Sequence, residues 1–395
     1  DRGGDELIHQ VLTCHPDLRK LNLSTVKIRS GCSALANFLK NPNSKLSELE
    51  LTFDEIDDQG AAVLATGLTG NSTLKALTIT CNESIFISGW QSIFAVLKSS
   101  SCMIEVLDLN SNEFEDRHIV SLSNAMRNNS RLRSVSLFDN PHISVIGWRA
   151  FFTVLHNPTN ELEKLDISNN RINDDAIEDL INALVTNTKL RVLNLSRNSR
   201  VSPLGWLRFS TVFQNPDSAL EKLNHRYNII NDTIMNSFAS SLATNTKLKE
   251  LLIDCSNSIT NEGWAAFSRL LCNPSSIMQT YHSNHTLQSF CEYDDLRLLL
   301  QINSENDDSR AARLKIIKTH FSTGFTAHPF ASMEIKILPH AISWMGKDSG
   351  AGEVGGHLFE FLRSMSFLFD VNANLEEKEV TTSVDSKKRK RGVKS

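Results

Sequence analysis

The amino-acid sequence predicts an α/β solenoid, in which a parallel β-sheet lines the inner side and α-helices cover the outer side. The first observation is a strict spacing: four tryptophans, each preceded by glycine, recur every 58 residues, at Trp90, Trp148, Trp206 and Trp264. The second is a series of aspartates at the same interval, Asp58, Asp116, Asp174 and Asp232. Such constant spacing along most of a chain indicates one supersecondary unit that is copied repeatedly.

Each 58-residue period contains two copies of a strand motif with apolar residues at its first, fourth and sixth positions. Nine copies begin at Leu18, Leu46, Leu74, Ile104, Leu132, Leu162, Leu190, Leu220 and Leu248. The pattern Leu-x-x-Leu-x-Leu at spacings of 28 or 30 residues is the leucine-rich repeat signature. We expect its apolar residues to point inward and successive strands to pair in parallel at ~4.8 Å. A tenth, weaker copy is predicted at Met278.

Two kinds of helix are predicted after the strands. In one kind, an aspartate such as Asp174 occupies the expected N-cap position ahead of an apolar face. In the other kind, Trp148 begins an apolar face with Phe151 and Phe152, and Asn157-Pro158 ends the helix. We therefore interpret the tryptophans as core residues rather than a ligand-binding ladder. The aspartates are interpreted as helix caps, because none has an acid or base partner at a fixed spacing.

Two further positions in the repeat carry polar residues that need an explanation: the residue after the strand and the last inward-facing residue of the strand. An asparagine follows most strands and can bond to backbone groups where the chain turns, as a stacked ladder: Asn82, Asn112, Asn140, Asn170, Asn198 and Asn228. His225 stands where other strands carry leucine or isoleucine. The sequence leaves three interpretations of this histidine open: a buried residue with a hydrogen-bond partner, a local defect, or a functional switch.

Composition narrows the class of partner. A net charge of −4 and a pI near 6.3 provide no whole-chain attraction to nucleic acid or to a membrane. The seven cysteines are scattered and odd in number, which favours reduced thiols in the cytoplasm or nucleus. No apolar run is long enough for a transmembrane helix. No metal-ligand spacing or cofactor motif is present, so neither is expected.

The repeat pattern fails near residue 285. We predict a leucine-rich repeat solenoid of about nine or ten repeats over 15–285, an α-helical C-terminal cap or separate docking module over 286–370, and a disordered tail over 371–395. The tail contains five consecutive basic residues, Lys387, Lys388, Arg389, Lys390 and Arg391. This run is typical of a nuclear localisation signal that importin would bind; the alternative is a solvated basic tail.

The strand motifs, such as LEKLDIS from Leu162 and LRVLNLS from Leu190, carry a resemblance to a known class. With its alternating 28- and 30-residue repeats, the chain resembles the ribonuclease-inhibitor-like leucine-rich repeat proteins over about residues 15–283. That class includes ribonuclease inhibitors, the GTPase-activating protein of the Ran cycle, immune-receptor sensor domains and actin-capping regulators. The tryptophan-containing copies and the basic helical end are similar to an expanded algal family. The resemblance implies the horseshoe fold and no assigned activity.

The fold predicts that a partner binds on the concave face of the sheet. Most residues expected to face the hollow are small and polar. The exceptions are five aromatic or arginine side chains, the types that dominate interface energetics: Phe53, Phe138, Arg197, Arg226 and Tyr227. We therefore predict a non-catalytic protein-interaction scaffold that uses these five residues. The alternatives are a regulator of a small GTPase and an inhibitor of a ribonuclease. An enzyme is not expected, because no phosphate-binding loop, nucleophile elbow or zinc-protease motif appears.

Overall fold

The computed structural model describes residues 2–26, 28, 32–254, 258–291 and 294–320. Two compact units are present. Unit 1 comprises Asp1–Leu271 and Asn284–Glu305, and unit 2 comprises Cys272–Ser283 and the described part of the chain from Asn306 onward. No helix within these described ranges is both long enough and apolar enough to cross a membrane.

Nine parallel strands form one sheet in unit 1, in the order of the sequence. They are β1 Lys20–Asn22, β2 Glu48–Thr52, β3 Ala76–Thr80, β4 Val106–Asp108, β5 Ser134–Ser136, β6 Lys164–Asp166, β7 Val192–Asn194, β8 Lys222–Asn224 and β9 Glu250–Leu252. Motif leucines are in register, since Leu49 pairs with both Leu21 and Leu77. The predicted fold class, an α/β leucine-rich-repeat solenoid, is confirmed.

A helix follows each strand. In unit 1 the helices are α1 Arg2–Cys14, α2 Ser33–Lys40, α3 Asp58–Thr69, α4 Ile87–Val96, α5 Asp116–Met126, α6 Val145–Leu155, α7 Asp174–Thr186, α8 Pro203–Phe209, α9 Asp232–Leu242, α10 Asn261–Leu271 and α12 Asp294–Glu305. In unit 2 they are α11 Ile277–Tyr281 and α13 Asp308–His320. Helix α1 precedes the first repeat and was not predicted; its Ile8 and Leu12 join the core of unit 1.

The tryptophans lie in the core between the sheet and the helices. The exposed fraction is 0% for Trp90 and Trp206, 1% for Trp148 and 8% for Trp264. Their indoles pack on phenylalanines; the ring centroids of Trp90 and Phe114, for example, are 4.8 Å apart in an edge-on arrangement. Their predicted role as core residues is confirmed.

The predicted aspartate caps were wrong by one residue. The N-cap residues are instead Asp57, Glu115, Asn173 and Asn231. Each repeating aspartate is the first helical residue, and its carboxylate reaches the start of the next helix. Asp174 accepts hydrogen bonds from the backbone N–H of Ser202 at 2.7 Å and from its hydroxyl at 2.6 Å. We call this contact the aspartate clasp; it joins each aspartate-type helix to the tryptophan-type helix that follows.

The clasp explains the glycine that precedes each tryptophan. A Cβ atom on Gly147 would lie 2.7 Å from Oδ1 of Asp116 and 2.8 Å from Cγ2 of Ile143, closer than packed atoms approach. The N–H of Gly147 also donates to that Asp116 oxygen at 3.1 Å. Only glycine leaves room for the carboxylate. The glycine that precedes each tryptophan and the aspartate therefore recur at the same 58-residue interval for one physical reason, the clasp between them.

The asparagine ladder is present as predicted. Asn140 accepts from the backbone N–H of Asn112 at 3.1 Å, and its own N–H donates to the side-chain oxygen of Asn170 at 2.9 Å. Its amide nitrogen donates to the carbonyl of Leu137 at 3.1 Å. The ladder therefore satisfies buried backbone groups where strands end and links each repeat to the next.

The predicted tenth copy was placed wrongly. Met278 lies in helix α11, while the tenth strand-like pairing is a parallel bridge between Glu250 and Ser289. The physical reason is an insertion: residues 272–283 leave unit 1 and belong to unit 2, so the tenth copy begins later. Helices α12 and α13 overlap the predicted C-terminal helices. Residues 321–370 of the predicted cap, and the 371–395 tail with its basic run, lie outside the described residues.

Candidate binding site at the strand ends

Three of the five predicted contact residues share one backbone position, in the turn that follows a strand. Phe53, Arg197 and Tyr227 all have positive φ values, of 57°, 59° and 60°. This left-handed conformation is uncommon for bulky side chains. Here it is held by the sheet, because the N–H of Phe53 donates to the Thr80 carbonyl at 3.2 Å and that of Arg197 to the Arg226 carbonyl at 3.0 Å. The turn places these side chains at the border of the concave face of the sheet, which we call the open face because no helix among the described residues covers it.

Arg197, Arg226 and Tyr227 come together, and we call them the rim triad. The guanidinium carbon of Arg197 lies 4.2 Å from the centroid of the Tyr227 ring, in cation–π geometry. The N–H of Tyr227 donates to the carboxylate of Asp254, and the N–H of Arg226 donates to Oδ1 of Asn224 at 3.1 Å. Tyr227 keeps 56% of its surface exposed. The triad is thus held by its backbone, while the side chains of Arg197 and Tyr227 are exposed and that of Arg226 is half-buried.

Phe53 and Phe138 lie apart from the triad. Phe53 follows β2 and Phe138 follows β5, whereas the triad follows β7 and β8. At ~4.8 Å per strand, Phe53 is about 24 Å from the triad and Phe138 about 10 Å. Phe53 is 56% exposed, and Phe138 is half-buried, with its N–H bonded to Oδ1 of Asn110 at 2.8 Å. The five predicted residues are therefore one cluster and two separate aromatics.

A groove of about 380 Å³ crosses the open face from β5 to β9, and none of the five predicted residues lines it. Its charged walls are Lys164, Asp166, Lys222 and Glu250; Lys222 and Glu250 form an ion pair at 2.7 Å. The residue just before the second leucine of each motif, such as Lys164 in LEKL, also faces the open side of the sheet. Considering that position would have revealed the groove. Sequence reasoning had considered only later positions of each strand.

The middle of the open face is acidic. Burial raises the pKa of Asp108, and the carboxylates of Asp166 and Glu50 raise it further. Burial also raises the pKa of the Cys81 thiol, together with the neighbouring carboxylates of Glu83, Asp139 and Asp108. This cluster holds no candidate metal site; among the described residues no group of three His, Cys, Asp or Glu side chains could bind a metal ion.

His225 is fully enclosed by aromatic rings. Its ring centroid lies 4.2 Å from that of Trp206 and 5.7 Å from that of Phe238. Neither ring nitrogen has a hydrogen-bond partner among the described residues, so the interpretation as a partnered histidine was wrong. Burial lowers the pKa of His225 to about 3, which keeps the ring neutral near pH 7. The geometry fits a polar substitution in an apolar position.

Comparison with known proteins places the repeats in a wider class. A family model described as Leucine Rich repeat matches residues 160–180 and 186–205. The human NACHT, LRR and PYD domains-containing protein 5 is 27% identical over 219 residues, 55% of this chain and 18% of that protein. The human NACHT, LRR and PYD domains-containing protein 12 is 24% identical over 247 residues, 62% of this chain and 23% of that protein. The chain thus spans less than a quarter of the length of these curated relatives.

Two solved structures match the chain at low similarity. The crystal structure of the Rad7 and Elc1 complex in yeast superposes with a TM-score of 0.40 at 17% identity, covering 72% of this chain and 76% of that chain. The TLR13–ssRNA13 complex also gives a TM-score of 0.40 at 17% identity, covering 70% of this chain and 37% of that chain. The match to the family model shows that the chain carries leucine-rich repeats, and homology to other leucine-rich repeat proteins supports a protein-interaction role in general terms. The ribonuclease-inhibitor-like subtype stays a prediction.

Proposed function

We propose that this chain is a non-catalytic scaffold that binds a protein partner on the open face of its sheet, with the rim triad as the main contact. The observation that carries the proposal is the stacked Arg197–Tyr227 pair beside Arg226. Neither arginine has an ion-pair partner within the part of the chain that the structure describes. Tyrosine and arginine are the side chains most enriched at interface hot spots.

The rim triad differs from the other charged side chains of the neighbouring strands. Most of those are paired across repeats, as in Arg191–Glu221 at 2.7 Å and Lys249–Glu221 at 3.0 Å. Such exposed pairs contribute little to stability, yet each already has a partner within the chain. The stacking of Arg197 on Tyr227 limits the freedom of both side chains, which reduces the entropy lost on binding. The triad is therefore preorganised for an external contact.

The partner can be sought by affinity capture from the native cell, analysed by mass spectrometry. Three baits are compared: the unmodified chain, the Arg226→Ala/Tyr227→Ala variant, and an Arg149→Ala/Val185→Ala control on the outer helices. Arg149 pairs with Asp179 at 3.0 Å and Val185 is 50% exposed, so the control removes a similar arginine and apolar group elsewhere. We expect a protein that the unmodified chain and the control retain and the rim variant loses. Equal capture by all three baits would contradict the proposal.

Regulation of a small GTPase or of a nuclease is the second candidate, and it uses the same docking surface. A GTPase regulator would change the rate of phosphate release when purified chain is added to a GTP-loaded small GTPase. A scaffold leaves that rate unchanged. Inhibition of a ribonuclease is tested in the same way, by following RNA cleavage with and without the chain.

A further inference from the structure

The loops that join the strands to the following helices lie together along one side of unit 1, which we call the strand-to-helix edge. From β2 to β8 it comprises residues 53–57, 81–86, 109–115, 137–144, 167–173, 195–202 and 225–231. The five most exposed large apolar side chains among the described residues lie in these loops or in the first helical turn after them: Phe53 56%, Phe86 64%, Ile146 63%, Leu204 55% and Tyr227 56%. This concentration of exposed apolar side chains on one edge favours an interaction there.

Charge is segregated along the same edge. The loops after β2 to β5 contain neither lysine nor arginine, and their carboxylates with exposed surface are Glu55, Asp57, Glu83, Glu113, Glu115 and Asp139; Asp54 is buried. The loops after β6 to β8 contain arginines and no carboxylate: Arg171, Arg197, Arg200 and Arg226. The edge therefore has an acidic half and an arginine half, with the change of sign between the loops after β5 and β6.

We propose that two copies of this chain pair through their strand-to-helix edges, related by a two-fold axis between the loops after β5 and β6. A two-fold axis places residue i of one copy against residue j of the other, and j against i. The acidic half of each copy then faces the arginine half of its partner. The carboxylate of Glu113, after β4, lies 2.8 Å from Nε2 of His142 in its own copy and would face the loop after β7 that carries Arg200.

The second copy is favoured over an unrelated partner because the edge carries both signs in order. An unrelated protein would need basic groups opposite the acidic half and acidic groups opposite the arginine half, at the same spacing. It would also need apolar groups that cover the exposed apolar side chains of each half. A second copy meets these requirements by symmetry, since Phe86 lies in the acidic half and Leu204 in the arginine half. This inference goes beyond the proposed scaffold function; because the arginine half includes Arg197 and Arg226 of the rim triad, its test uses charges outside the triad.

The test compares the full chain with two charge-reversed variants, using sedimentation equilibrium over a range of protein and salt concentrations. One variant is Arg171→Glu/Arg200→Glu and the other is Glu83→Arg/Glu113→Arg; all four side chains are exposed and none belongs to the rim triad. We expect the unmodified chain to dimerise, more weakly at high salt because exposed charges are screened. Each variant alone should dissociate, with a dimer dissociation constant about a hundredfold higher, because like charges then face each other.

An equimolar mixture of the two variants should form a heterodimer more readily than either variant pairs with itself, because the Arg200→Glu loop of one variant then faces the Glu113→Arg loop of the other. A monomeric unmodified chain at all concentrations would overturn the proposal. So would a dimer that both reversals leave intact, or variants that stay monomeric when mixed while retaining the melting temperature of the unmodified chain. Loss of dimerisation with unchanged partner capture would leave the scaffold function standing by itself.

Discussion

The interior of unit 1 and the ends of its strands follow different rules. Inside, the same residue type recurs in successive copies with the same contact: tryptophan against phenylalanine, asparagine in the ladder, aspartate against the next helix. At the strand ends, the residue with positive φ changes from copy to copy, from Phe53 to Cys81, Ser111, Asp139, Asn169, Arg197 and Tyr227. Recurring residues are those that the fold itself requires. Residues that differ while keeping one backbone conformation are free to serve a partner.

This contrast predicts that interior substitutions change stability, whereas strand-end substitutions change binding. The largest loss of stability is expected for Trp148→Ala, which empties a site that is only 1% exposed. The free energy of unfolding should fall by ~3–5 kcal/mol, measured by urea denaturation followed by circular dichroism. Val185→Ala, at a site 50% exposed, is the control and should change it by less than ~0.5 kcal/mol. Equal losses would break the contrast.

Gly147→Ala sharpens the explanation of the 58-residue period. The new methyl group would force Asp116 and Ile143 apart, and the free energy of unfolding should fall by ~1–3 kcal/mol. Gly70→Ala is the matched control, because its Cβ would meet nothing closer than Cγ of Lys40 at 4.0 Å. We expect Gly70→Ala to leave stability unchanged or slightly higher. A harmless Gly147→Ala would show that the clasp does not require glycine.

His225→Leu tests an interior position that departs from the repeat. Removing a buried ring whose nitrogens lack partners should raise the free energy of unfolding by about 1 kcal/mol. The reverse change, Leu195→His in the neighbouring strand, should lower it. A destabilised His225→Leu variant would indicate that the ring contacts with Trp206 and Phe238 outweigh the lost polar interactions.

His225→Leu should also remove a pH dependence of the free energy of unfolding. The folded-state pKa of His225, about 3, lies below the ordinary value of 6.5, so between these values the unfolded chain binds a proton and the folded chain does not. The contribution to stability is complete above pH 6.5 and is lost as pH falls toward 3, by up to ~1.4 kcal/mol per pH unit. Denaturation midpoints of the unmodified chain and the variant should therefore diverge as the solution is acidified.

Asp174→Ala should have a smaller effect, about 1 kcal/mol, because it removes one clasp and leaves the core packed. Asp175→Ala is the adjacent control. It removes the same charge from the start of α7, at a residue that is exposed. A melting temperature that falls equally for both variants would assign the effect to helix charge rather than to the clasp.

The smallest effect on stability is expected for Arg226→Ala/Tyr227→Ala. Tyr227 is exposed and stacks on Arg197, and Arg226 is half-buried, so the free energy of unfolding should change by less than ~0.5 kcal/mol while partner affinity falls. A collapsed fold would show that the rim triad is structural, and would remove the distinction on which the proposed function depends.

Sequence reasoning was most successful for residues whose structural role is set within their own repeat. The motif leucines predicted the strands and their register, because side chains of a parallel sheet alternate between two faces. The asparagine ladder, which links repeats, was also predicted, but two other assignments failed. Asp174 was assigned to its own helix, although its carboxylate bonds to Ser202. Met278 was assigned to a strand, because an insertion that leaves unit 1 has no signature in the repeat pattern.

The sequence by itself determined the kind of repeat, its period and the burial of the tryptophans, because periodic apolar spacing decides which side chains must leave water. Only the tertiary structure decided which strand-end residues meet. Arg197 and Tyr227 are 30 positions apart in the chain, yet they stack because adjacent parallel strands bring equivalent turns into contact. Phe53 belongs to the same residue class but lies several strands away. Chemical type is a property of each residue, whereas proximity is a property of the whole sheet.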